Sequence, residues 1–242
     1  MLWENEEFSM AEINKKGRGN KMKALFVNGS PRKKWNTDQM LDAAVKGAES
    51  AGVQCEKVHL YDYAYKGCIS CFACKVKGSR TNGLCAVKDT LRPVLEKAHE
   101  ADMIIIGTPV YYSYPTGQTR AFMERLMFPV GTYLWENGQQ VLIRDKVIPT
   151  GIIYTMNCPK DMMEEHRYPE MLKDNELCMN QIFGYCESLY ICDTYQFRDY
   201  SRYDINLFDP EKKAEHREKF FGKDLESAYE FGRRIASMIP EK

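Results

Sequence analysis

Residues 23–37 read KALFVNGSPRKKWNT, and the change of pattern inside this stretch decides the fold. Lys23–Asn28 is a short, largely apolar run that breaks at Gly29-Ser30-Pro31, which is how a buried strand enters a turn. From Thr37 onward Met40, Leu41, Ala44, Val45 and Ala48 recur at helical spacing, and Ala51-Gly52 ends the helix. Gly29 permits close backbone approach. Ser30, Asn36 and Thr37 bring donors, and Arg32 can meet a phosphate through two N–H groups. The loop opens onto a helix amino end, where free N–H groups and the dipole favour an anion. The alternative is an ordinary turn capped by Asn or Thr. Capping alone does not call for hydroxyl, amide and guanidinium groups together. The Gly-Lys-Ser/Thr of a Walker loop is missing. The one Gly-x-Gly nearby, Gly17-Arg18-Gly19, precedes the strand instead of following it.

Working outward, strands and helices alternate. Glu56–Tyr61 alternates like a second strand, and a cysteine-rich loop and a helix near Asp89–His99 follow. Asp102–Thr108 is a third strand, apolar enough to be buried on both faces. A helix spans about Gly117–Met127. Asn137-Gly138 between β-prone flanks predicts a hairpin inserted at 132–144. Lys146–Tyr154 reads as the fourth main strand. A polar stretch covers 156–174, a helix then reaches about Cys186, and Ser188–Asp193 is the fifth strand. An aromatic, charged loop at 195–210 leads into a last helix from near Pro210. Such alternation means parallel βαβ units in a doubly wound α/β sheet, with helices on both faces. Ligands on these sheets bind beyond the carboxyl ends of the strands, so the loops after strands one, three and four carry the chemistry.

The chain reads as one domain over 22–242, preceded by a flexible arm at 1–21. Lys+Arg and Asp+Glu are equal at 34 each, which argues against bulk attraction to nucleic acid. No apolar run approaches the roughly 18–20 residues of a membrane span. The charged first residues lack the apolar centre of a secretory signal, so a cytoplasmic location is expected. Nine cysteines in such a chain read as thiols or metal ligands before a disulfide framework.

Cys68, Cys71 and Cys74 are spaced Cys-x2-Cys-x2-Cys, and ten residues intervene before Cys85. Three thiolates so spaced, with a fourth beyond, can ligate one [4Fe–4S] cube. Zinc more often uses two separated Cys-x2-Cys pairs. A redox dithiol and unmetallated, buried cysteines are the other readings. Cys55, Cys158, Cys178, Cys186 and Cys192 lie in or near strands and helices and read as structural. The four histidines are scattered, and no Gly-x-Ser-x-Gly elbow is present.

Three blocks in order, NGSPRKKWNT at 28–37, GCISCFACKVKG at 67–78 and GTPVYYSYPTGQTRAFMERL at 107–126, make the chain resemble the NADPH-dependent FMN reductase and iron–sulfur flavoprotein branch of the flavodoxin-like superfamily. The similarity runs from about residue 22 to 127. The resemblance implies a five-stranded parallel sheet in the order 2-1-3-4-5. It implies FMN with its phosphate held by Ser30, Arg32, Asn36 and Thr37. Pro109, Val110, Tyr111, Tyr112 and Ser113 would wrap the isoalloxazine edge, and tyrosines can stack on a flat ring. The alternative for Tyr111, Tyr112 and Tyr114 is ordinary packing. Two departures stand out. Trp35 occupies a position where the family commonly has a small residue, and the gap before Cys85 is longer than in the family's iron–sulfur members.

By the same resemblance no protein side chain need carry the reaction, because a flavin supplies the hydride chemistry. The expectation is an oxidoreductase in which NAD(P)H reduces the flavin and a quinone, nitro compound, flavin or metal ion receives the electrons. An electron-transfer protein with FMN and [4Fe–4S], serving a ferredoxin-like partner, is the second reading, and a non-enzymatic redox sensor the third. A homodimer or homotetramer is implied. The hairpin and the 195–210 loop are candidates to lie at a subunit interface or over the flavin.

Overall fold

In the computed structural model, residues 21–144 and 146–241 are described. The arm expected at 1–21 falls almost wholly outside them. The chain runs through β1 (Lys23–Asn28), α1 (Asn36–Ser50), β2 (Gln54–His59), α2 (Arg92–Glu100), β3 (Met103–Tyr111), β4 (Tyr114–Pro115), α3 (Gly117–Met127), β5 (Gly131–Glu136) and β6 (Gln139–Leu142). It continues through β7 (Thr150–Thr155), α4 (Lys160–Glu165), α5 (Tyr168–Phe183), β8 (Cys186–Ile191) and α6 (Pro210–Ser237). Five strands form a parallel sheet in the order β2-β1-β3-β7-β8. This is the expected 2-1-3-4-5 order, and β5–β6 is the expected inserted hairpin, paired apart from the main sheet.

Side-chain alternation in the central strands supplies both faces of the core. Leu25, Val27, Ile104 and Ile106 face α2, α3 and α5, whereas Ala24, Phe26, Met103 and Ile105 face α1 and α6. The second layer is unusually close. A Cβ on Gly232 of α6 would stand 2.0 Å from the Ala44 carbonyl oxygen of α1, and one on Gly47 would stand 2.0 Å from that of Tyr229. Glycine at these two positions lets the helices touch backbone to backbone.

Several boundaries differ from the sequence reading. The fourth main strand begins at Thr150, not at residue 146. Pro149 brings no N–H, and residues 146–149 lead into the sheet without entering it. The fifth strand lies at 186–191, two residues early. The polar stretch 156–174 holds two helices, α4 and the first turns of α5, separated by Arg167 in a left-handed conformation at φ 56°. Its apolar positions are sparse, and Leu172 is the buried residue of α5's early turns. Gly117, the first residue of α3, is in ordinary backbone with open space around it. The Thr116 hydroxyl caps that helix by accepting from the Thr119 N–H. Among the described residues no helix is long and apolar enough to cross a membrane.

Candidate functional site

The register aligns the carboxyl ends of β1, β3 and β7, with Asn28 opposite Gly107 and Thr108 opposite Tyr154. Chain order reverses between β1 and β3, the switch point where such sheets open a crevice. The loop after β1 is fixed from behind by Asp38. Its carboxylate accepts from Asn28 Nδ2 at 2.9 Å, from the Lys34 N–H at 2.6 Å and from Lys57 Nζ at 2.6 Å. Asn28 Oδ1 in turn accepts from the Ser30 N–H at 2.8 Å, and Ser30 Oγ from the Arg32 N–H at 3.1 Å. Burial alone would raise the Asp38 carboxyl. The bonds from Lys57 and Lys34, helped by the charges of Lys57 and His59, outweigh burial and hold it below the ordinary carboxylate value.

Trp35 is the N-cap residue of α1 and makes no side-chain cap. The first amides of α1 therefore keep their donors for something else. Gly29 proves necessary for a reason other than ligand approach. A Cβ there would meet the Thr119 hydroxyl at 1.8 Å, so the glycine admits the amino end of α3.

One cleft of about 150 Å³ is lined by Ser30, Arg32, Asn36 and Thr37 on one side and by Pro109, Val110 and Tyr111 on the other. The expected phosphate loop and the first three of the expected ring contacts are thus brought together. Tyr112 and Ser113 are not. They form the two-residue turn between β3 and β4, both left-handed at φ 48° and 72°, and Tyr112 is wholly exposed. Burial, with Tyr61 nearby, pushes the Tyr111 phenol up, so it stays neutral at ordinary pH.

The floor and far wall come from Thr155, Met156 and Asn157 after β7, in a loop the sequence marked without naming its residues, and from Thr194, Tyr195 and Gln196 after β8, where the 195–210 loop was expected at a subunit interface or over the flavin. Thr37 and Thr155 share a buried hydroxyl–hydroxyl bond of 2.7 Å. The Tyr195 carbonyl accepts from Asn36 Nδ2 at 2.6 Å and Trp35 Nε1 at 3.1 Å, and the Gln196 carbonyl accepts from Arg32 Nη1 at 2.6 Å. The loop after β8 thus lies across the donors of the loop after β1. The Trp35 ring also carries the guanidinium of Arg32 at 4.5 Å and that of Arg198 at 5.5 Å. That is the structural place of the unusual tryptophan. From below, buried Lys213 binds Asp193 and the Asn157 carbonyl, tying together the loops after β7 and β8.

The cysteines divide into two groups. Cys68, Cys71, Cys74 and Cys85 line one small pocket of about 20 Å³, with apolar walls from Ile69, Phe72, Val87 and Phe128. Ser70 and Phe72, both left-handed at φ 52° and 54°, turn the loop between the first three. Cys68 and Cys71 are exposed while Cys74 and Cys85 are buried. The four thiols line this one pocket. Among the described residues, no group of three or more His, Cys, Asp or Glu side chains stands where it could hold a metal ion. Cys55, Cys186 and Cys192 belong elsewhere, and burial pushes each thiol up to about 12, which leaves them protonated and inert.

A profile described as NADPH-dependent FMN reductase matches residues 22–148, just over half of the chain. The chain belongs to the NADPH-dependent FMN reductase family. The matched span holds the loop after β1, the cysteine loop, β3 and the hairpin. Two curated relatives, both named iron-sulfur flavoprotein and both from Archaeoglobus fulgidus, are 40% identical over 117 residues and 38% identical over 110. These matches cover 48% and 46% of this chain and 55% and 47% of the relatives, so the chain spans about half the length of the curated relatives it matches. Two solved structures share the fold at a TM-score of 0.60. They are an NAD(P)H:quinone oxidoreductase from Methanothermobacter marburgensis at 14% identity and an azoreductase from Bacillus anthracis at 16%. They cover 89% and 88% of this chain and 99% of each structure. For this family member they establish the flavodoxin-like architecture alone.

Within the family's matched span the residue that sequence reading missed is Asp38. Its position three residues after a helix N-cap was the available signal, since an acid there reaches back to an upstream amide. Thr155 and the loop after β8 lie beyond that span, and no local motif marks them.

Proposed function

We propose that the cleft at the carboxyl ends of β1, β3 and β7 holds FMN, and that the protein is an NAD(P)H-dependent oxidoreductase serving a small acceptor such as a quinone, nitro compound, flavin or metal ion. The observation that carries this is the convergence, in one cleft, of the uncapped amino end of α1, the Ser30, Arg32, Asn36 and Thr37 donors, and Tyr111. That donor set suits a phosphate, and the neutral phenol suits a flat ring. When bound, FMN supplies the capacity to take up a hydride and release its electrons. The protein's part is to hold the phosphate with the Ser30, Asn36 and Thr37 side chains and the α1 amides. Arg32 balances its charge, Pro109 and Val110 fix the ring's edge, and Tyr112 and Ser113 stay at the rim. FMN titration of the purified protein, read by flavin fluorescence, tests this. One FMN per chain is expected, with weaker binding in R32A. Protein that takes up no FMN overturns it.

A second reading is favoured by one further observation, the shared pocket of Cys68, Cys71, Cys74 and Cys85. Four thiols with apolar walls are a donor set suited to [4Fe–4S], and the exposed half of the loop leaves room for Cys68 and Cys71 to turn inward. Such a cluster supplies one-electron transfer, and the protein would then pass electrons between FMN and a ferredoxin-like partner. Iron and acid-labile sulfide in anaerobically purified protein decide it; absence of both eliminates this reading.

A further inference from the structure

Arg125, on α3, is the largest of the fully buried side chains and is 1% exposed. It faces Asp89 as a fork, with Nη1 to Oδ2 at 2.6 Å and Nη2 to Oδ1 at 3.0 Å. The other N–H of each nitrogen goes to backbone: Nη1 to the Lys66 carbonyl at 3.2 Å and Nη2 to the Val87 carbonyl at 3.3 Å. Lys66 precedes Cys68 by two residues, and Val87 follows Cys85 by two. One guanidinium therefore ties the chain entering the cysteine loop to the chain leaving it. Four of its five N–H groups are used. The fifth, on Nε, is buried and has no hydrogen-bond partner among the described residues.

A buried ion pair is weak evidence of a stabilising role, because apolar residues of similar volume often serve as well. A buried donor without an acceptor calls for its own explanation. Here the explanation is next to it. Arg125 lines the same pocket as Cys68, Cys71, Cys74 and Cys85, with Cys85 beside its guanidinium.

We infer that Arg125 is the positioning residue of the four-cysteine site: its fork to Asp89 closes the loop so that the four thiols share one pocket, and its Nε–H is the donor reserved for a sulfur of the group they bind. This rests on the iron–sulfur reading above. Hydrogen bonds to cluster sulfurs are among the features that set a cluster's reduction potential, and a lost donor makes the more negative, reduced state harder to reach. Lysine at 125 keeps the charge but cannot span Asp89 and both carbonyls while also offering Nε–H.

The test compares wild type, R125K and D89N after anaerobic reconstitution with iron and sulfide. Iron and sulfide content, the midpoint potential, and the rate of thiol alkylation in the iron-free protein are measured. In R125K we expect a more negative midpoint potential, or loss of iron where the loop no longer closes. Alkylation of the loop cysteines should be about tenfold faster, because each lost cross-loop hydrogen bond shifts the open–closed balance several-fold. D89N, which leaves the arginine but removes its fork partner, is expected to speed alkylation in the same direction, and it serves if R125K does not fold. Wild type that takes up neither iron nor sulfide ends the cluster reading and this inference together. Loaded wild type whose variants keep its potential and its alkylation rates ends the inference alone.

Discussion

At the residue scale, Asp38 shows how a buried carboxylate can shape a loop without reaching its ligand. It sits at the third position of α1 with three donors on it, two of them from the loop and strand that flank the cleft. Removing the charge in D38N leaves the Lys57 ammonium without its nearest buried partner and the Lys34 amide with a poorer acceptor. The expected cost is ~2–3 kcal/mol, from the loss of charge-assisted bonds at a buried site. FMN affinity should fall with it, since Ser30 is held through Asn28. The pH dependence has a definite sign. A carboxyl held below its ordinary value of 3.8 contributes stability that is fully present above that value and is lost as pH falls below it. Asp89, held low by the bond from Arg125, acts in the same window. Urea unfolding between pH 2.5 and 7 should therefore show a shallower acid limb in D38N than in wild type; identical limbs would remove Asp38 from this role.

At the element scale, the two layers over the sheet have different tolerances. The α1–α6 contact depends on Gly47 and Gly232, where a side chain would meet backbone and not a movable side chain. G232V should destabilise the protein by ~3 kcal/mol through overpacking, as measured by urea unfolding. A change under ~0.5 kcal/mol would mean that the helices separate freely. The loop after β8 is the opposite case, held by hydrogen bonds at its start. Its Tyr195 and Gln196 carbonyls accept from Asn36, Trp35 and Arg32, and two of those donors are the ones a bound phosphate needs. If FMN takes Arg32 and Asn36, the loop must yield those bonds. Hydrogen exchange over 195–203 should then differ between the FMN-free and FMN-loaded protein, while exchange in β3 stays the same. Unchanged exchange in the loop would place the phosphate elsewhere. These elements also mark the limits of what sequence shows. Strand periodicity, the Asn-Gly hairpin and the loop after β1 were legible because each is written in adjacent residues. The cleft's far wall was not, because Thr155 and Tyr195 reach Thr37 and Asn36 from more than a hundred residues away. The shift of the fourth strand and the early start of α5 came from a proline that cannot pair and from a left-handed Arg167, neither of which disturbs a hydrophobic pattern.

At the scale of the whole molecule, the main sheet is covered on both faces but the inserted hairpin is not. Tyr133, Leu134 and Trp135 of β5 are all exposed, at 74%, 59% and 68%. A two-stranded hairpin is marginal by itself, and this one is tied to the body at few points. Gln140 Oε1 accepts from Gln181 on α5 at 2.9 Å, and Lys75 binds the Gly131 carbonyl where β5 begins. A chain with no net charge offers little repulsion against its own copies. The homo-oligomer proposed from the family resemblance then makes a specific demand, that the exposed row of β5 be covered by another copy. W135E removes a largely exposed apolar side chain. It should leave the unfolding free energy within ~0.5 kcal/mol, as exposed substitutions do, and lower the mass found by light scattering to that of a single 28.1 kDa chain. A wild-type protein already monomeric at that mass, or an oligomer that W135E leaves intact, would take the hairpin out of the interface.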